Sequence, residues 1–318
     1  MKLKPIDYKL LNYLYHNHNE SISKIAKTTK ISRDKVEYRI NKYLKEGLIK
    51  QFIPIINYKA LGFDKQSIIF LKFETEKDAK EYSKQLKNNR HCISFGSTLE
   101  KYHLYLNAIF KNNQELEQFI SELIENNKLE EYQIIEPYFA ELYPLKFLDN
   151  KERKNYQLKE NNKKIAIDNL DLKILKELSK NGRIKLLDLS IKLKTNNTTI
   201  LYRLKKLREN KIILGNRIAF NTEKLEYNYT ALLINFKTKT AKEKIKQFAR
   251  RSKNTNSLIL QLNKPNAIIQ FFYKEEQELR KEINKIKKLL EEEKIETELI
   301  HITEEEHINS ISFVKDIL

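Results

Sequence analysis

Residues 23–49 read SKIAKTTKISRDKVEYRINKYLKEGLI, and residues 187–213 read LDLSIKLKTNNTTILYRLKKLRENKII. In the first stretch Ile22, Ile25 and Ala26 mark a short helix. Ser32 then stands where an N-cap belongs, ahead of Val36, Ile40, Tyr43 and Leu44 at the i, i+4, i+7, i+8 spacing of a helix with one buried stripe. Gly47 follows where such a helix ends in a left-handed residue. In the second stretch Leu186, Leu189 and Ile191 mark the short helix, Asn196 is the cap, and Ile200, Leu204 and Leu207 form the stripe, with Lys211 replacing the closing glycine. A further helical pattern precedes each: Ile6, Leu10, Leu11 and Leu14, and Leu170, Ile174, Leu175 and Leu178. Each stretch therefore predicts three short helices, the last of them capped and basic.

The two stretches belong to a larger repeat. Pro5 to Phe63 overlies Asn169 to Tyr227 without a gap, every pair 164 positions apart, with identities that include Asp7/Asp171, Asn17/Asn181, Tyr38/Tyr202, Arg39/Arg203, Lys42/Lys206 and Asn57/Asn221. A period this long describes two whole modules and not a solenoid. Downstream of each copy the period shortens to that of strands. Ser67–Phe73, Cys92–Ser97, Tyr102–Phe110 and Glu131–Ala140 read as strands around helices at Glu76–Lys87 and Asn113–Asn126. The second copy gives strands at Thr230–Phe236, Ser257–Leu262, Asn266–Tyr273 and Glu296–Thr303 around helices at Ala241–Arg251 and Glu275–Leu290. Both are βαββαβ, an antiparallel sheet with helices on one face. Between the modules, DNKERKNYQLKENNKK (149–164) is polar without apolar periodicity and reads as a linker or a solvated helix.

Composition removes several function classes. Five glycines in 318 residues, none closer than fifteen positions to another, exclude a Walker loop, a dinucleotide fingerprint and a Gly-x-Ser-x-Gly elbow. Cys92 is the sole cysteine, which rules out a Cys-x-x-Cys pair and a cysteine-based zinc site and fits a reducing compartment; it reads as a small buried hydrophobe. The pairs His16/His18 and His301/His307 lack metal-ligand spacing, so no metal and no cofactor is expected. No apolar run is long enough to span a bilayer, and Met1–Pro5 shows no apolar signal core, so the expectation is a cytoplasmic protein without a membrane partner. Against 43 Asp and Glu stand 61 Lys and Arg, a net charge of +18, which points to a polyanionic partner.

If Val36, Ile40, Tyr43 and Leu44 are buried, the 100° step per residue turns Asp34, Tyr38, Lys42 and Lys45 outward. The matching positions of the second copy are Thr198, Tyr202, Lys206 and Glu209. Folding demands no tyrosine in solvent, yet both copies place one beside a lysine; phosphate contacts by Lys42 and Lys206, with Tyr38 and Tyr202 as hydroxyl donors, account for that. A short helix, a turn and a capped second helix is the helix-turn-helix arrangement, which sends the start of its second helix into the major groove of double-stranded DNA. There Ser32, Arg33 and Lys35 meet base edges, the cations suiting guanine, while Asn196 and Asn197 suit adenine and Thr198 and Thr199 lie beside them. Arg39 and Arg203 fall at the edge of the buried stripe and serve either phosphate or an internal ion pair.

IDYKLLNYL (6–14), the 23–49 stretch and the strand leading into NYKALGF (57–63) together resemble the Lrp/AsnC family of leucine-responsive, "feast/famine" regulators, and Leu170–Ile213 resembles it again. The resemblance covers nearly the whole chain, twice. It implies an α+β fold of two tandem modules, each a winged-helix-like helix-turn-helix followed by a ferredoxin-like βαββαβ domain of the RAM type. The expected borders are 1–50, 51–148, a linker at 149–164, 165–214 and 215–318. It implies an archaeal or bacterial transcription regulator, not an enzyme, that pairs through its sheet domains, either as an internal pseudo-dimer or as a homo-oligomer. Because Arg33, Asp34 and Lys35 become Asn197, Thr198 and Thr199, the two recognition helices are expected to read unlike half-sites. Family members that take an amino-acid effector carry a Gly and an Asp between the second and third strands. Here Gly96 is followed by Lys101 and Tyr102, and the second copy has Leu262 to Pro265, which argues against that small-molecule effector.

Two other classes compete. Sirohaem decarboxylases resemble this family, occur as paired or fused modules and act on a tetrapyrrole through His and Arg; their His-Asn-Tyr signature is absent, leaving His91 and His103 in the first copy. RNA binding on the sheets lacks its aromatic signature, and Tyr102, Tyr105, Phe271 and Phe272 read as core or sheet-to-sheet packing. The acidic runs Glu291–Glu293 and Glu304–Glu306 read as solvated helix and strand ends.

Overall fold

The structure, a computed structural model, describes residues 3–143, 146, 156–157 and 164–316. The first module runs α1 (Pro5–Asn17), α2 (Ile22–Thr29), α3 (Arg33–Lys45), β1 (Ile49–Ile56), β2 (Lys65–Phe73), α4 (Glu76–Leu86), β3 (Cys92–Thr98), β4 (Leu104–Phe110), α5 (Asn113–Asn126), β5 (Leu129–Ile135) and β6 (Phe139–Leu142). After the short β7 (Tyr156–Gln157) the second module repeats the order: α6 (Asn169–Lys180), α7 (Leu186–Leu193), α8 (Asn197–Glu209), β8 (Ile213–Phe220), β9 (Asn228–Asn235), α9 (Lys239–Arg251), β10 (Thr255–Leu260), β11 (Ala267–Tyr273), α10 (Glu276–Leu289) and β12 (Glu296–Ile308). Most of the expected linker lies outside the described residues.

Each head is a three-helix unit closed by its apolar stripe. Leu10, Leu11 and Leu14 of α1 meet Ile25, Val36, Ile40 and Tyr43, all buried, and each full side-chain burial of this kind contributes about 2 kcal/mol. The second head packs Ile174, Leu175 and Leu189 against Ile200 and Leu207 in the same way. Two residues expected inside lie outside: Leu44 and Ile191 are exposed, because the stripe of each helix is narrower than the apolar pattern suggested. Gly47 and Lys211 both take left-handed conformations, with φ of 66° and 55°, so the second third helix ends as the first does, without the glycine. The ion pair Arg39–Asp7 locks α3 onto α1, and Arg203–Asp171 locks α8 onto α6.

Strand pairing joins the modules. β1 and β8 form an antiparallel two-stranded ribbon, Ile53 opposite Arg217, and the expected domain borders at 50 and 214 cut through it. Ile218 and Phe220 of β8 enter the core of the first head, while Ile56 and Tyr58 enter that of the second, so each head is completed by the other module. The remaining strands run β5-β2-β4-β3-β12-β9-β11-β10-β6-β7. β12 extends five residues past the expected end at Thr303: Glu296–Ile302 pairs with β9, and Ile302–Ile308 crosses to β3 of the first sheet. The backbone of Glu304–Glu306 is thus inside a strand and not at its solvated end.

The first module answers in kind. Its last strand, expected unbroken over Glu131–Ala140, divides at Glu136–Tyr138, where Pro137 has no amide hydrogen to donate. β5 ends the first sheet on β2, and β6 pairs in the second between β10 and β7. Consecutive strands of one chain thus serve both sheets, and helices cover the outer faces: α4 and α5 over one core, α9 and α10 over the other. Ile68, Phe70, Tyr105, Leu233, Ile259 and Ile300 fill the inside.

Where the pseudo-twofold related heads touch, the repeat breaks its symmetry. His18 and Gly182 occupy equivalent positions and lie against each other: a Cβ on Gly182 would stand 2.9 Å from His18 Cε1 and 2.9 Å from the Phe52 carbonyl oxygen. The Arg183 guanidinium lies 5.6 Å over the Phe52 ring and donates to the His18 carbonyl. A bulky ring on one side fits because the other side has no side chain.

Candidate nucleic-acid interface

Both third helices present their starts to solvent. Ser32 holds the N-cap position of α3 but makes no side-chain cap bond; Arg33, Asp34 and Lys35 follow it, exposed. Asn196 caps α8 through a bond from the Thr199 amide at 2.7 Å, which commits its side-chain oxygen, while Asn197 and Thr198 stand exposed beside it. Of the two roles open to Asn196 in the sequence, the cap is the one seen.

Tyr38 is 65% exposed and Tyr202 61%, on the outward faces of α3 and α8. Lys42 lies on the same side, 3.7 Å from Glu46, and Lys206 is exposed. Thus Lys35, Tyr38 and Lys42 share the outward side of α3, with Ser32 and Arg33 exposed at its start, and Thr198, Tyr202 and Lys206 share the outward side of α8, with Asn197 exposed at its start. Arg39 and Arg203 do not join them fully: each is turned back into its ion pair. Burial raises the Asp7 carboxyl, but bonds from Tyr43, the Lys4 amide and Arg39 outweigh it and hold the group below its ordinary value. Arg203 bonds Asp171 at 3.2 Å and also Asp168, whose carboxyl the Asp171 amide and Arg203 hold low.

The sequence reading missed an asymmetry of surface chemistry. Leu187 and Ile191 on α7 and Leu201 on α8 are 58%, 66% and 56% exposed, where the first head carries exposed Ser23, Lys27 and Glu37. The 164-residue alignment held the signal, since all three are apolar replacements of polar residues.

The residues of the competing classes are engaged in packing. His91 is buried, Nδ1 2.9 Å from the Ile109 carbonyl oxygen and its ring 4.7 Å from Phe110; the Nδ1 of His103 accepts from the Phe73 amide at 3.0 Å. Tyr102, Tyr105 and Phe271 are buried. Cys92 is buried too, its thiol pushed up to about 12 by desolvation, which leaves it inert. Among the described residues no cluster of three His, Cys, Asp or Glu could hold a metal ion, and no helix is long and apolar enough to cross a membrane.

Known proteins match this geometry. A winged helix-turn-helix DNA-binding model matches residues 3–50, and an AsnC-type helix-turn-helix domain model matches residues 167–208. The HTH-type transcriptional regulator Ptr1 of Methanocaldococcus jannaschii is 30% identical over 122 residues, which are 38% of this chain and 82% of that protein. The chain belongs to the Lrp/AsnC family. The regulator FL11 of Pyrococcus horikoshii is 27% identical over 118 residues, 37% of this chain and 78% of its own length, so each relative spans about one module of the Lrp/AsnC pair seen here. Over 99% of the chain, and 97% of the other, the fold resembles the crystal structure of the sirohaem decarboxylase NirDL in complex with an iron-uroporphyrin III analogue, with a TM-score of 0.66 and 14% identity. That likeness is one of fold over the length of both chains.

Proposed function

We propose that this Lrp/AsnC chain is a cytoplasmic, sequence-specific double-stranded-DNA-binding transcription regulator that carries out no catalysis and whose paired sheet domains hold two unlike heads toward unlike half-sites. The observation that carries the reading is the exposed tyrosine on a basic helix face in both heads, Tyr38 beside Lys42 and Tyr202 beside Lys206. Arg33, Lys35, Asn197 and Thr198 supply base contacts, and Arg39 and Arg203 brace the helices. Self-pairing through β12 and β6 makes one chain the counterpart of a dimer, so light scattering on purified protein should give a single-chain mass at dilute concentration. Fluorescence anisotropy with a labelled duplex tests the function. Affinity should fall steeply with salt, with a log–log slope of about −0.9 for each phosphate contacted; a flat response overturns it.

The tandem likeness to the decarboxylase favours a second reading, a tetrapyrrole decarboxylase. His91 and His103, on which that reading rests in the sequence, are held in packing and backbone bonds. Incubation with sirohaem should leave its mass unchanged; loss of CO₂ would replace the regulator by the enzyme.

A further inference from the structure

Three exposed apolar side chains set the second head apart from the first. Leu187 and Ile191 lie one turn apart on α7, and Leu201 stands on α8, the helix packed against it. The first head holds Ser23, Lys27 and Glu37 at the matching positions, so the fold does not require apolar residues there. Phosphates gain nothing from three such side chains, whereas a protein surface that covers them removes their apolar area from water. The three are set in a cationic head: residues 165–214 carry twelve Lys and Arg against five Asp and Glu, with Lys192 and Lys205 exposed on the same two helices. A surface of matching chemistry is acidic and carries an exposed apolar residue of its own.

Both properties meet on α5 of the first sheet domain. That helix carries four Glu and no Lys or Arg, and Ile124 is exposed on it, with Glu117 two turns earlier on the same side. Glu117 and Glu125, both exposed, form no ion pair among the described residues. The equivalent helix α10, of the same length, reverses this chemistry: Arg280 stands for Glu117, Lys285 for Glu122, Lys287 for Ile124 and Lys288 for Glu125. Of the four pairings of a head with α5 or α10, only the second head with α5 joins opposite charges across an apolar contact. Within one chain these two surfaces cannot meet. On β4, Ile109 packs into the core of the second head, while Ala108 and Phe110, facing the other way, pack under α5. The second head and α5 therefore lie on opposite sides of the first sheet.

We propose that the second head docks on the α5 face of another copy of this chain, with Leu187, Ile191 and Leu201 closing over Ile124 beside Glu117 and Glu125. The contact is heterologous, each copy offering one surface of each kind, so copies add head to tail. It does not depend on the DNA-reading function. Sedimentation velocity on the full chain tests it. So small a contact belongs to the weak interfaces, so the mean mass should rise above that of one chain at on the order of 100 μM protein and low salt, not at dilute concentration. At about 0.5 M salt the mass should fall back, since the charges at the rim are screened. Leu187→Ser with Ile191→Lys and Leu201→Glu gives the second head the residues of the first; Glu117→Arg with Glu125→Lys gives α5 those of α10. Each variant should remain a single chain at every concentration while keeping the circular dichroism and melting curve of the parent. Mixed in equal amounts, the two variants should form two-chain complexes and nothing larger, because one intact surface of each kind remains. A parent that stays single throughout, association that survives in either variant alone, or a mixture that forms no pairs overturns the docking.

Discussion

In the first head Asp7 is gripped by Arg39 and by the hydroxyl of Tyr43; in the second, Leu207 stands where Tyr43 does, and Asp171 shares Arg203 with the Asp168 cap. Both equivalent carboxylates, Asp7 and Asp171, are buried; the difference is the added partner, a buried tyrosine hydroxyl in the first head and the half-exposed Asp168 in the second. Outward positions differ more: Arg33-Asp34-Lys35 faces Asn197-Thr198-Thr199, and Ser23, Lys27 and Glu37 face Leu187, Ile191 and Leu201. The heads therefore keep the pair that aims the recognition helix and change what the helix displays. Under the proposed function, bracing and reading are separable tasks assigned to different sides of the same helix.

The largest expected effect lies where the heads touch. Burial, and secondly the Arg183 guanidinium, push the His18 imidazole down to about 3 from 6.5, so the folded chain holds it neutral while the unfolded chain binds a proton below 6.5. The stability this confers is complete above pH 6.5 and is lost as pH falls toward 3, roughly 1.4 kcal/mol per pH unit inside the window. Urea unfolding at a series of pH values should show that slope, and His18→Leu should flatten it between 6.5 and roughly 4, below which the lowered carboxyl of Asp7 adds its own loss. An unchanged slope would show that His18 is hydrated.

Next come the braces. Arg39→Met strands the buried Asp7 and Arg203→Met the buried Asp171, and each should cost about 3 kcal/mol, the second no less than the first because Leu207 offers Asp171 no hydroxyl in place of Tyr43. A loss at Arg203 well below that at Arg39 in chemical denaturation would show that the second brace is not formed. Smaller still is the effect at Gly182. Alanine there meets the Phe52 carbonyl and the His18 ring at 2.9 Å and should destabilise by about 2 kcal/mol, as overpacking does, with His18→Ala restoring only part because the carbonyl remains. A neutral Gly182→Ala would mean that the heads are not in contact in solution.

Much of this was legible in advance. The 164-residue repeat, the three helices of each head and the βαββαβ order follow from periodicity, because each element buries one face within its own module. What the sequence concealed is what lies between modules. β12 runs past Thr303 because β3 offers it a second partner, and its two bulges, between Ile302 and Glu304 and between Glu305 and His307, erase the alternation that would have betrayed a strand. The ribbon was hidden for the same reason, since a pairing of Ile53 with Arg217 leaves no local mark. At the interface, the outward tyrosines could be read from a helical wheel, but the fate of Asn196 as a cap, of Arg39 and Arg203 as braces, and the narrowness that leaves Leu44 outside depend on contacts that no single helix specifies.

Footprinting the chain on a selected operator, with one head altered at a time, tests the central claim most directly. The account predicts an asymmetric site of two unlike halves, with Arg33→Ala plus Lys35→Ala uncovering one half and Asn197→Ala plus Thr198→Ala the other. A palindromic site, or both pairs of changes uncovering the same half, would contradict it.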